Sequence, residues 1–119
     1  MICWGAMVHT TVAAAEDAAT EGVSAEVLDL RTLSPMDTEA ILDSVRKTGR
    51  VAIVHEAPRT GGLGGEVAAV IAERALEHLK APIERVTGFD TVVPLPKTEN
   101  YYLPNKERVL RAIHHVMEY

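Results

Sequence analysis

The stretch RVAIVHEAPRTGGLGGEVAAVIAERALEHL, Arg50 to Leu79, limits what this chain can fold into more than any other. Its opening, RVAIVHE, is β-branched, apolar and bounded by Gly49 and Pro58, which predicts a buried strand. Its close carries Val67, Val70, Ile71, Ala75 and Leu79 at helical spacing, which predicts a helix from Glu66 to Leu79 that Pro82 ends. The glycine-rich turn HEAPRTGGLGGE joins them. A buried strand that turns directly into a helix is half of a strand-helix-strand unit, and such units build parallel sheets covered by helices.

The rest of the chain repeats that alternation. ICW, ending at Gly5, reads as a short strand. Val8, Val12, Ala15 and Ala19 then recur at helical spacing, with Glu16, Asp17 and Glu21 on other faces and Gly22 as the stop. SAEVLDL alternates as a strand with Ala25, Val27 and Asp29 on one side. Asp37 or Ser34 caps a helix to about Lys47 that buries Ile41, Leu42 and Val45 and closes at Gly49. IERVTG is the next strand. From Phe89 to Pro104 the pattern lapses into an extended crossing segment or large loop. Asn105 then caps a last helix whose apolar face is Val109, Ile113 and Val116 or Met117. One α/β domain follows, with no internal repeat.

Composition narrows the functional classes. The 119 residues suit one domain of roughly the usual size. A net charge of −5 and no basic cluster argue against nucleic acid. No run approaches the roughly 20 apolar residues of a membrane span, and the first residues lack the pattern of a signal peptide, so a cytoplasmic protein is expected. The lone Cys3 reads as a small buried hydrophobe. The chain enters its apolar pattern at residue 2, so either the first strand begins at once or the sequence starts partway into a longer protein.

The candidate chemistry is sparse. Gly62 and Gly64 match two positions of a dinucleotide fingerprint, but Val67 stands where the third glycine belongs, and no Gly-Lys-Ser/Thr ending follows. The glycines read better as a tight turn with close helix-to-sheet packing. His55 and Glu56 sit at a strand end, where α/β sheets place ligands; they form either an acid-base couple or polar residues that meet solvent or a neighbouring loop. No HExxH pattern and no G-x-S-x-G elbow is present. The adjacent His114 and His115 point to different sides of their helix and read as surface residues. The stretch FDTVVPLPKTENYYLP is either an interface ribbon or a loop packed on its own domain.

Several stretches together resemble one family. SAEVLDLRTLSPMDTEAILDSVRKTGRVAIVHEAPRTGGLGGEVAAVIAE, APIERVTGFDT and YYLPNKERVLRAI are similar, in order, to the C-terminal domain of the beta subunit of thiamine-dependent 2-oxoacid dehydrogenases, also called the transketolase C-terminal domain. The resemblance runs from about Ile2 to Tyr119. It implies a three-layer α/β/α sandwich whose mixed, mostly parallel sheet has about five strands and one antiparallel edge strand.

The enzyme so resembled is a heterotetramer of two alpha and two beta subunits. It oxidatively decarboxylates a 2-oxoacid on thiamine diphosphate with magnesium and acylates a lipoyl group. In that family the cofactor lies on the alpha subunit and on the beta subunit's N-terminal domain, which this sequence lacks. Neither cofactor nor magnesium is therefore expected on residues 1–119 alone, and the isolated chain is expected to be inactive. The implied partners are the alpha subunit, a second beta subunit and the subunit-binding domain of the dihydrolipoyl acyltransferase. The resemblance points to Glu84 and the terminal carboxylate of Tyr119 as acidic docking groups, and to Glu56 and Arg59 as subunit contacts. WGAMVH, HEAP and GFDT lean towards the branched-chain type over the pyruvate type. The competing reading is a stand-alone flavodoxin-like nucleotide-binding or regulatory module.

Overall fold

The computed structural model describes residues 1–94 and 96–119. Strand β1 (Ile2–Cys3) leads into helix α1 (Met7–Thr20), and β2 (Leu28–Asp29) into α2 (Thr38–Thr48). Strand β3 (Ala52–Pro58) precedes α3 (Gly64–Arg74), which a short 3₁₀ turn, Leu76–His78, follows. Strand β4 (Glu84–Gly88), the one-turn helix α4 (Glu99–Tyr102) and α5 (Lys106–Met117) complete the chain.

Among the described residues the sheet has four strands in the order β2-β1-β3-β4, every pair parallel. The expected three layers are present, but the sheet differs from the mixed one of about five strands with an antiparallel edge. Among the described residues no further strand follows β4. The expected 89–104 segment includes Leu95, which lies outside the described residues, and part of it closes into α4.

The pleat explains the layers. Successive strand residues point to opposite faces, so Ile2, Val51 and Ile53 join Ile41, Leu42, Val45, Val67 and Ile71 of α2 and α3. Cys3, Ala52, Val54 and Val86 join Met7, Ala14, Ala18, Val109 and Ile113 of α1 and α5. Each fully buried Val, Leu or Ile contributes about 1.5–3 kcal/mol. Both faces being covered is why RVAIV reads as an unbroken apolar run.

Helix ends follow local chemistry. The Asp37 carboxylate accepts from the Ala40 amide at 3.0 Å and caps α2, so of the two expected caps Asp37 serves. Gly49, at φ 70°, ends α2 in the left-handed conformation that glycine takes without strain. Asn105 caps α5 through the Arg108 amide at 2.9 Å. Helix α3 begins two residues before the expected Glu66 and stops at Arg74, because Ala75 adopts an extended φ of −147°.

Helix α1 is rotated from the expected face. Its buried residues are Met7, Thr11, Ala14 and Ala18, while Val12 is 39% exposed. α1 packs on both the sheet and α5, and the alanines let the backbones approach. The paired strand β2 is shorter than SAEVLDL, because pairing reaches only as far as the two-residue β1.

Candidate functional site

The carboxyl ends of the parallel strands are where α/β folds collect ligands, and here that edge is filled by the protein itself. His55, at the middle of β3 and one residue past its last pair with β1, is 1% exposed. Its ring stacks on Trp4 with centroids 5.1 Å apart and planes within 9°. The glycine turn lies against the Nε2 end of the ring. A Cβ on Gly62 would sit 2.8 Å from His55 Cε1, and one on Gly64 would sit 2.6 Å from His55 Cδ2. These glycines therefore make room for an imidazole. The space a phosphate would need in a glycine cradle is occupied by that ring.

Neither ring nitrogen of His55 has a hydrogen-bond partner among the described residues. Burial, and then the positive charge of Arg85, lowers its pKa below the usual imidazole value and keeps it neutral. Glu56 points to the opposite side of the strand and is exposed. The two do not form an acid-base couple. Of the expected alternatives, solvent or a neighbouring loop, His55 takes the loop, packing against Gly62 and Gly64 without a hydrogen bond.

Polar contacts tie the exits of β3 and β4 together. The Asp90 carboxylate accepts from the Thr60 amide at 2.8 Å and from its hydroxyl at 2.7 Å. Those bonds hold the Asp90 carboxyl below its usual range. Arg59 donates to the Arg85 carbonyl at 3.1 Å, and Arg85 returns a bond to the Arg59 carbonyl at 3.4 Å.

Arg108 anchors the next segment. Its guanidinium donates to the carbonyls of Thr87 (2.5 Å) and Tyr102 (3.4 Å) and lies 4.7 Å from the Phe89 ring centroid. The two adjacent tyrosines part company. Tyr102 is 3% exposed, its hydroxyl against Gly88, whereas Tyr101 is 81% exposed and stacks on Phe89. The ribbon is thus packed on its own domain at Tyr102 and outward-facing at Phe89, Val92, Val93 and Tyr101.

The structure brings together two of the four residues singled out from the sequence. The Glu84 carboxylate meets His115 Nδ1 at 2.6 Å, and the His115 ring meets the Tyr119 ring edge-on with centroids 5.7 Å apart. Arg59 directly follows β3 and donates to the Arg85 carbonyl of β4, and Glu56 lies on β3. Sequence reasoning missed Arg108 and read His115 as a surface residue without its partner Glu84. Their spacing with Arg111 marks one polar face of α5, and that spacing is the signal that could have found them.

The strand ends of this three-layer α/β domain are packed by its own side chains, His55 against Trp4 and the glycine turn among them. A match to the family "Transketolase, C-terminal domain" spans residues 1–109, and the chain belongs to that family. Over all 119 residues it is 44% identical to "Pyruvate dehydrogenase E1 component subunit beta" of Staphylococcus epidermidis, covering 37% of that protein. It is 48% identical to "2-oxoisovalerate dehydrogenase subunit beta 2, mitochondrial" of Arabidopsis thaliana, again over 119 residues, covering 33% of it. The chain thus spans about a third of the length of these relatives. Among solved structures, "Split gene transketolase, inactive beta4 tetramer" superposes with a TM-score of 0.84 at 28% identity, over 98% of this chain and 37% of that one.

Proposed function

We propose that this chain is the C-terminal structural and docking domain of a 2-oxoacid dehydrogenase beta subunit. The whole enzyme would decarboxylate a branched-chain 2-oxoacid or pyruvate on thiamine diphosphate and pass the acyl group to a lipoyl domain. The observation that carries this reading is identity of 44% and 48% to beta subunits of both kinds along the entire chain. The domain's own part is to hold subunits together: with an alpha subunit, with a second beta subunit, and with the acyltransferase's subunit-binding domain. A relative of the same fold that is itself a tetramer supports an assembly role. The single buried thiol, Cys3, suits a reducing compartment such as the cytoplasm.

The residues of this chain do not fit thiamine diphosphate. Its glycine turn is filled by the His55 ring, which leaves no cradle there for a diphosphate. In this reading the cofactor belongs to other parts of the enzyme, and residues 1–119 form one domain that does not catalyse alone. Titration calorimetry of the isolated chain with thiamine diphosphate and magnesium should give no heat of binding; micromolar affinity would overturn this assignment.

Docking would use the exposed end of α5. The terminal carboxylate of Tyr119 is the principal acidic group for a basic partner, and Glu84 is secondary because His115 already engages it. Arg59 and Glu56, both exposed, would contact neighbouring subunits. In the assembled enzyme, deleting Glu118 and Tyr119 should weaken acyltransferase-domain binding, and Arg59→Ala should weaken subunit assembly. Unchanged affinity, or normal assembly, would remove the residue concerned from this role.

A further inference from the structure

A shallow cleft of about 320 Å³ lies between the outer edge of β4 and α5. Its sheet wall is Glu84 to Val86, and its helix wall is Arg108, Arg111, Ala112 and His115. β4 is the edge strand of the described sheet. The Glu84 amide donates to the Val51 carbonyl at 3.0 Å. In a parallel ladder Glu84 and Val86 then face β3, and Arg85 and Thr87 turn both backbone groups outward.

The outward carbonyls are already satisfied by guanidinium groups, Arg85 by Arg59 and Thr87 by Arg108. An added strand needs open carbonyls as well as open N–H groups, so this edge is closed to strand addition. It still offers donors and positive charge. The Arg85 amide faces outward, and the exposed Arg111 has neither a hydrogen bond nor an ion pair among the described residues.

Arg111 follows Arg108 by three positions, which makes them neighbours on the helix surface. Burial, and then the charge of Arg111, lowers the pKa of Arg108, the expected effect of two cations without an anion between them. The one acid in the cleft wall, Glu84, is engaged by His115. In a chain of net charge −5, three arginines against one glutamate make this cleft wall net positive.

We propose that this cleft binds a small phosphate-bearing molecule, its phosphate held by Arg111 and the Arg85 amide, with Arg108 adding charge. The planar fork of arginine matches phosphate oxygens, and a backbone N–H supplies a further donor. The cleft volume suits a small molecule better than a folded partner.

The test is a titration of the ¹⁵N-labelled chain with sodium pyrophosphate at ionic strength held constant with chloride. Saturable shifts are expected at the amides of Arg85, Arg111 and Ala112. Arg111→Gln should weaken the affinity about tenfold, the loss of one charge-assisted contact. Arg46→Gln, on α2 and paired with Asp43, should leave it unchanged. No saturable shift, equal affinity in Arg111→Gln, or equal affinity for citrate would each overturn the proposal. No partner subunit enters this titration, so its failure leaves the docking role untouched.

Discussion

Gly64→Ala is the sharpest probe of how the glycine turn works. Gly64 is the first residue of α3, and its φ is not positive, so alanine meets no backbone strain there. Helix propensity alone favours the substitution by up to about 1 kcal/mol. Packing opposes it. The new methyl would lie 2.6 Å from His55 Cδ2, and the ring, stacked on Trp4 and fully buried, has little room to move. Overpacking of this kind costs about 1–3 kcal/mol, which leaves a net loss of about 1–2 kcal/mol. For a chain of this size that is a fall in Tm of about 4–8 °C. Urea unfolding followed by circular dichroism would measure it. The decisive comparison is the double variant. In a His55→Ala background the clash is gone, so Gly64→Ala should become neutral or stabilising, a coupling of about 2 kcal/mol between the sites. A single variant as stable as the wild type, or a penalty that persists without the imidazole, would refute the packing account.

Two further outcomes are expected. His55 is neutral in the fold, with its pKa below the 6.5 of an unperturbed imidazole, so the unfolded chain takes up this proton first. Its contribution to stability is therefore present above about pH 6.5 and is lost as the pH falls below that; His55→Phe should flatten this part of the urea-midpoint profile between acid and neutral pH. Asn105→Ala removes the acceptor for the Arg108 amide and should lower unfolding stability by about 1 kcal/mol, with a matching loss for Asp37→Ala.

The sequence was most legible where local rules and burial agree. RVAIV, the Asp37 and Asn105 caps and the Gly49 stop all carry their structure in adjacent residues, because capping and turn geometry are settled within a few positions. It was least legible where two faces compete. Alanine-rich α1 offers apolar residues all round, so spacing alone chose Val8 and Val12; contact with sheet and α5 buries Met7, Thr11, Ala14 and Ala18, keeps Val8 packed at the margin and leaves Val12 exposed. The same holds for the ribbon after β4, whose prolines announce irregular backbone without saying which tyrosine is buried.

What the chain determines by itself is the α/β alternation, the parallel sheet and the family, since periodicity and motif order are properties of residues along a line. His55 belongs to the other kind of fact. In HEAPRTGGLGGE it stands beside Glu56 like half of a catalytic pair. The pleat sends the two to opposite faces, and Trp4, some fifty residues earlier, closes over the ring. The pairing of Glu84 with His115 and the unmatched charge of Arg111 are likewise tertiary, because they depend on how α5 lies against the edge of β4. Contacts between residues distant in sequence are set by the packing of whole elements, and only the folded chain displays them.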